Sequence, residues 1–296
     1  MNDKQIQKRR PKVLSNARNR FEEVKDVLPN LSDLEPEEAA KRLFFELASL
    51  RAVRIDREHF LRTELHKAGI GEQQIAESLA TTPVQAGIPA KILEKIAQSS
   101  IRFETNRSSA ASFLSGLPGG VALLATVPVD TAQYFVHALR IMQKLAYVNG
   151  WQDFFEDSRS IDDETLAEIG LLIGVMMGIG GANVGLNRFL TSVAAPEVQK
   201  RVARQALTKT AWYPTLKKVL RTIGIKVTKD SVGKAVAKAV PVVGGLVSGS
   251  VTFIALRTQS DRLRKTLREV APPGVDAPEY LKALNQSDKS QQGTTR

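Results

Sequence analysis

Apolar residues recur at helical spacing from residue 36 onward, which predicts helices with one buried face. The first group falls three or four residues apart, the period of an amphipathic α-helix. Its members are Ala40, Leu43, Phe44, Leu47 and Leu50. Pro36 predicts the start of this helix, because proline is favoured in the first helical turn. Glu37 and Glu38 follow it, where the helix dipole favours acidic side chains.

Three further helices are predicted before residue 105. Asp56 can cap the second helix, and Gly69 can end it. The remaining two are predicted at residues 71–79 and 89–101. No alternating apolar and polar pattern with hairpin turns occurs anywhere, so no β-strand is predicted.

Three uncharged stretches follow, at residues 108–129, 169–187 and 239–256. Each is near the ~20 residues that span a bilayer. The first contains Pro118-Gly119-Gly120, which predicts two helical pieces around a turn. The third contains Pro241 near its start, which predicts a short apolar helix. Only the second could form one uninterrupted span.

The second stretch, IGLLIGVMMGIGGANVGL at 169–186, leaves three alternatives open. It can be a buried helix of a soluble core, a membrane-spanning helix, or a hairpin that a soluble fold exposes to a membrane. Its glycines Gly170, Gly174 and Gly178 are four residues apart, which places them on one helix face. Gly245 and Gly249 repeat the spacing, and all five are predicted to allow close helix packing.

These patterns predict an all-α fold, a multi-helix bundle with glycine-rich helical hairpins and a small N-terminal helical unit. We expect a loosely ordered basic arm at residues 1–35, with one helix near residues 18–27. The small helical unit is expected at 36–105, a larger helical domain at 106–275, and a disordered tail at 276–296.

Charge is concentrated in one segment. The chain has 296 residues and a formal net charge of +11. Residues 188–238 contain 12 Lys or Arg and only two acids. Such a segment can be a set of solvated helix faces, or it can bind anionic lipid headgroups or an acidic protein. The candidate binding residues are Lys217, Lys218, Arg221 and Lys226.

A polar stripe is predicted on the helix that follows Pro128. Asp130, Gln133, His137, Arg140 and Lys144 are three or four residues apart among apolar neighbours. The stripe can lie between helices or face water. Alternatively, Asp130, Gln133 and His137 can line a polar pocket.

No motif predicts an enzyme, a metal or a cofactor. The chain has no cysteine and three histidines without a zinc-binding spacing. The glycine pairs lack the residues of a phosphate-binding loop, and no GxSxG nucleophile motif occurs. We therefore expect no catalytic set. The basic N-terminus has no apolar core after it, so no secretory signal is expected.

Four segments together resemble the EcsC-like bacterial proteins. The clearest are GLPGGVALLATVPVDTAQYFVHALRIMQKLAYVNGW at 116–151 and KAVPVVGGLVSGSVTFIALRTQSDRLRKTL at 238–267. Residues 55–70 and 207–229 also resemble members of one branch. The resemblance implies a bacterial protein in the cytoplasm or at the inner face of the membrane, and it implies no reaction or catalytic residues.

The sequence favours a non-enzymatic, membrane-associated or adaptor protein that binds anionic surfaces. The alternative is an enzyme or small-ligand binder with its pocket at Asp130, Gln133 and His137. Specific nucleic-acid binding is not expected, because the basic segment has only Trp212 and Tyr213 for base stacking.

Overall fold

A computed structural model describes residues 31, 34–115, 127–155, 162–193, 210–233 and 241–292. Within these ranges, only the backbone is described for residues 109–115, 127–130, 132, 229–233, 241–252 and 288–292. The described residues form ten α-helices and no β-strand, which confirms the all-α class. None of these helices combines the length and apolar character that crossing a bilayer requires.

The helices are numbered in chain order. They are α1 (Pro36–Ser49), α2 (Arg57–Lys67), α3 (Glu72–Ala80), α4 (Ala90–Ser115), α5 (Val127–Val148), α6 (Asp163–Met177), α7 (Ala182–Val193), α8 (Tyr213–Gly233), α9 (Pro241–Leu267) and α10 (Ala277–Gln292). The predicted N-terminal arm lies almost wholly outside the described residues, as does the predicted turn at Pro118.

Local signals place the first helices where the sequence predicts them. Pro36 is the first residue of α1. The side chain of Asp56 accepts a hydrogen bond from the backbone N–H of His59 and so caps α2. After α2, the backbone turns at Gly69, whose φ of +82° favours glycine.

The fourth helix is longer than predicted. The pattern predicts an end near residue 101, but α4 continues to Ser115. Its apolar period is interrupted because Glu104, Thr105 and Ser108 are polar and yet buried. The boundary predicted after residue 105 therefore falls inside this helix.

The glycine-rich stretch at 169–186 forms a hairpin of two helices instead of one uninterrupted helix. The first of them, α6, ends at Gly178, whose left-handed backbone (φ +72°) stops it, and α7 begins at Ala182. Most residues of α6 between Leu166 and Met176 are buried. The first half of this stretch thus belongs to the core, and the second half forms the turn and the start of α7.

Gly170 and Gly174 allow α6 to lie close to α8. A Cβ atom at Gly170 would lie 2.7 Å from Cδ1 of Leu216, and one at Gly174 would lie 2.7 Å from Cγ2 of Val219. Gly178 ends α6, and a Cβ atom there would lie 2.5 Å from Nη1 of Arg262 on α9, so this glycine also allows a close contact. Gly245 and Gly249 belong to α9, but their surroundings lie outside the described side chains.

Two predictions about the C-terminal third are wrong. The stretch at 239–256 is not a short helix, because α9 begins at Pro241 and continues through the paired glycines to Leu267. A disordered tail is predicted at 276–296, but residues 277–292 form α10. Tyr280 of α10 is buried and donates a hydrogen bond to the carbonyl oxygen of Asn149 at 2.8 Å.

The centre of the bundle is α5. It packs against α1, α2, α4, α6, α8 and α9. All residues from Ile141 to Val148 are buried, including Gln143 and Lys144. Because α5 has neighbours on every side near its C-terminal end, its polar residues must find partners within the protein.

The close packing of α6 on α8 predicts a large cost for filling the space at Gly174. Gly174→Leu should lower the free energy of unfolding by ~1–3 kcal/mol or more, because Val219 cannot move away without disturbing α8. A thermal melt should show a melting temperature several degrees below that of the wild type. The control is Val184→Leu on the same hairpin, which enlarges a side chain that is 52% exposed and should melt like the wild type. An unchanged melt for Gly174→Leu would contradict the close packing.

Candidate functional site

The outer half of α8 carries four exposed basic side chains, which we call the basic face. They are Lys217, Lys218, Arg221 and Lys226. The opposite half of the helix is buried against the core through Leu216, Val219, Leu220, Ile223 and Val227. At 3.6 residues per turn, the four basic residues fall within roughly half of the circumference. The sequence period therefore fixes which side of α8 faces solvent.

Contacts with neighbouring elements hold three of these side chains near the helix. Nζ of Lys217 lies 3.9 Å from Oε2 of Glu37, at the outer limit of an ion pair. Nζ of Lys218 donates to the carbonyl oxygen of Gly180 at 3.0 Å. Nζ of Lys226 lies 4.9 Å from the ring centre of Tyr134. All three side chains nevertheless remain exposed, as does Arg221.

The end of the hairpin formed by α6 and α7, residues 177–184, lies beside the basic face, and we call it the hairpin tip. The bond from Lys218 to Gly180 joins it to α8. Met177 and Ile179 are half-buried, and Val184 is exposed. Arg262 donates to the carbonyl oxygen of Met176 at 3.0 Å, where a cation is favoured by the C-terminal end of α6. Apolar and basic groups thus share one exposed surface.

Inside the bundle, three residues of the predicted polar stripe converge on one carboxylate, and we call this group the Glu104 cluster. Nδ1 of His137 lies 2.8 Å from Oε2 of Glu104. Nε of Arg140 and Nζ of Lys144 lie 3.0 Å and 2.7 Å from Oε1. The Glu104 side chain is fully buried, whereas the other three retain only 10–15% exposure. The cluster joins α4 to α5.

The neighbours of Glu104 determine its protonation. Burial alone would raise the pKa of Glu104, but the hydrogen bond with His137 and the charges of Arg140 and Lys144 outweigh it. They hold the pKa of this carboxyl well below its usual range. Burial lowers the pKa of Lys144, and Glu104 opposes that change. The carboxylate is therefore ionised throughout the neutral range.

Glu168 on α6 shows the opposite behaviour. Burial, together with the nearby charges of Glu164 and Asp162, raises the pKa of Glu168 to about 8. The two acidic neighbours of Glu168 add to the effect of burial, so its ionised form is destabilised. The contrast with Glu104 shows that basic partners can outweigh burial: they keep Glu104 ionised, whereas burial favours the protonated form of Glu168.

The predicted pocket residues occupy different surroundings. The side chain of Asp130 lies outside the described residues, although its backbone belongs to α5. Gln133 is half-buried. His137 faces Glu104, and it is not among the lining residues of the cavities beside α4, α2 and α10. In the described ranges, no three His, Asp or Glu side chains are close enough together to hold a metal ion.

Sequence reasoning missed Glu104 itself. It lies one turn from Ile101 and Ser108 and two turns from Ala97, all of which are buried. A single acid on the apolar face of a helix was the signal that could have identified it. Such an acid requires a cationic partner elsewhere in the fold.

The Glu104 cluster predicts a strong effect from removing its one negative charge. Glu104→Gln keeps the size of the side chain but leaves the largely buried Arg140 and Lys144 side chains without a counter-charge. We expect a loss of about 3–5 kcal/mol in the free energy of unfolding at pH 7, measured by urea denaturation. The control is Glu77→Gln, which removes an exposed carboxylate and should change stability little.

The low pKa of Glu104 predicts that the stability of the protein depends on pH. The folded-state pKa of Glu104 lies below its ordinary value of 4.5, so its stabilisation is complete above that pH and is lost as the pH falls. Wild-type stability should decline between about pH 5 and pH 3 more steeply than that of Glu104→Gln. Parallel declines would contradict the low pKa of Glu104.

Comparison of the chain with known protein families, with curated proteins and with solved structures found no match. The resemblance to the EcsC-like proteins therefore stays a prediction carried by the four segments quoted above.

Proposed function

We propose that this chain is a non-enzymatic protein of EcsC-like type that associates with a membrane or serves as an adaptor. It binds anionic surfaces through the basic face of α8 and the hairpin tip. The observation that carries the proposal is the exposure of Lys217, Lys218, Arg221 and Lys226 on one half of a helix whose other half is buried.

The electrostatic part of this binding follows from the number of cations. Each Lys or Arg near an anionic lipid surface contributes roughly 1 kcal/mol, and salt screens the attraction. Because α8 is packed against α6 at Gly170 and Gly174, its backbone needs little ordering on binding. The backbone of α8 thus holds the four charges on one face before binding.

The hairpin tip supplies the apolar part. Val184 is 52% exposed, and the half-buried Met177 and Ile179 belong to the same hairpin tip. Apolar side chains that enter the boundary between headgroups and acyl chains add to electrostatic binding. A lipid surface can satisfy both kinds of side chain at once, which favours it over a purely polar partner.

Two observations bear on the competing functions. Trp212 is buried at 1% exposure, so it cannot stack on bases, and Tyr213 is half-buried. This supports lipid over single-stranded nucleic acid. For the alternative pocket, Nδ1 of His137 is already bonded to Glu104. The geometry therefore favours a surface function over a ligand site centred on this histidine.

Vesicle binding tests the proposal directly. The protein should sediment with vesicles that contain phosphatidylglycerol and remain in the supernatant with pure phosphatidylcholine at moderate salt. Changing Lys217, Lys218, Arg221 and Lys226 to glutamine should weaken binding at least tenfold, because about 1 kcal/mol is lost per residue. The circular dichroism spectrum should stay unchanged, since all four side chains are exposed.

A matched variant separates a specific face from overall charge. It changes four exposed lysines outside α8 to glutamine, and so it lowers the net charge equally. These are Lys67, Lys95, Lys265 and Lys282. The proposal expects this control to bind almost as well as the wild type. Equal weakening of both variants, or equal partition of the wild type to the two kinds of vesicle, would contradict it.

A further inference from the structure

A cleft of about 450 Å³ lies between α4 and α9, apart from the basic face of α8. Its walls include three arginines, Arg102 from α4 and Arg257 and Arg264 from α9. Ile101 and Phe253 supply apolar surface. This volume is within the range of sites that hold small organic molecules.

Arg264 is held in a fixed position. Its Nη1 lies 2.5 Å from Oε1 of Glu94, and its Nε lies 3.2 Å from Oδ1 of Asp261. The side chain retains only 16% exposure, and neither contact uses Nη2. These two acids neutralise Arg264 and also the nearby Arg268, which lies 3.5 Å from Glu94. Arg264 can therefore supply N–H donors from Nη2 to a ligand, but it adds little net charge to the cleft.

Arg102 and Arg257 differ from Arg264, because their charge is not neutralised. Both are exposed, and within the described part of the chain neither makes an ion pair or a hydrogen bond. They stand on opposite walls of the cleft, one on each helix. The cleft thus presents two guanidinium charges beside a buried Ile101 and a half-buried Phe253.

We infer that this cleft binds a phosphate monoester that carries an apolar or planar group. A phosphate monoester has a charge near −2 at neutral pH, which matches two free guanidinium groups. Arginine also binds phosphate oxygens through paired N–H donors, and a lysine cannot do this. The apolar part of the ligand would lie against Ile101 and Phe253. The phosphate can belong to a soluble compound or to a lipid headgroup.

Calorimetric titration with phenyl phosphate tests the inference. The wild type should bind phenyl phosphate at least tenfold more tightly than benzoate, which has the same ring and one negative charge. The double variant Arg102→Gln/Arg257→Gln should lose at least tenfold in affinity, because each lost charge-assisted hydrogen bond corresponds to about tenfold. Undetectable binding to the wild type, or equal binding of benzoate, would overturn the inference.

The matched control is Lys95→Gln/Lys265→Gln. It removes two exposed charges from the same two helices but leaves the cleft lining intact. It should bind phenyl phosphate like the wild type, and an equal loss in both double variants would overturn the inference. Glutamine changes on the basic face of α8 should also leave phenyl phosphate binding unchanged. The proposal for the cleft and the proposal for the basic face are therefore tested independently.

A competition arm distinguishes the source of the phosphate. If the cleft accepts lipid, soluble dihexanoyl phosphatidic acid should displace phenyl phosphate from the wild type. If it accepts only soluble esters, phenyl phosphate should stay bound. Both results support a phosphate site in the cleft. Displacement that persists equally in the arginine double variant would place the binding elsewhere and overturn it.

Discussion

A single buried carboxylate organises the centre of the bundle. Glu104 on α4 faces His137, Arg140 and Lys144 on α5, all within 3.0 Å. One carboxylate cannot neutralise both the Arg140 guanidinium and the Lys144 ammonium group, and the excess charge is relieved in two ways. The basic side chains retain slight contact with solvent, and Nζ of Lys144 lies 5.0 Å from the ring centre of Phe103, whose face attracts cations. Removing the carboxylate would leave charges in a site that cannot hydrate them.

Helix α5 also connects the Glu104 cluster to elements nearer the surface. Arg140 donates to the carbonyl oxygen of Ala52, and Gln143 binds the backbone of Val53 and Ile55, so α5 fixes the connection between α1 and α2. On its other sides α5 packs against α6 and α8. The proposed interface is therefore a rigid surface, because α8 is held from behind along its buried face.

Sequence reasoning predicted features that depend on near neighbours and missed those that depend on distant ones. Pro36, Asp56 and Gly69 act within one turn of themselves, so their helix ends could be predicted. The apolar positions around Glu104 indicated its burial, but its basic partners lie more than thirty positions away, and no local pattern pairs them with it. Likewise, Tyr280 orders α10 through a carbonyl group 131 residues earlier in the chain.

In the proposed function, the hairpin tip and the basic face together meet an anionic membrane. Because the chain has no cysteine, single cysteines can carry an environment-sensitive fluorophore without background labelling. Labels at Val184→Cys and Thr222→Cys, both exposed, should shift to the blue on phosphatidylglycerol vesicles and stay unchanged on phosphatidylcholine. A label at the exposed Gln73 on α3 should not respond. Equal shifts at all three positions, or a shift at Gln73 alone, would contradict the account.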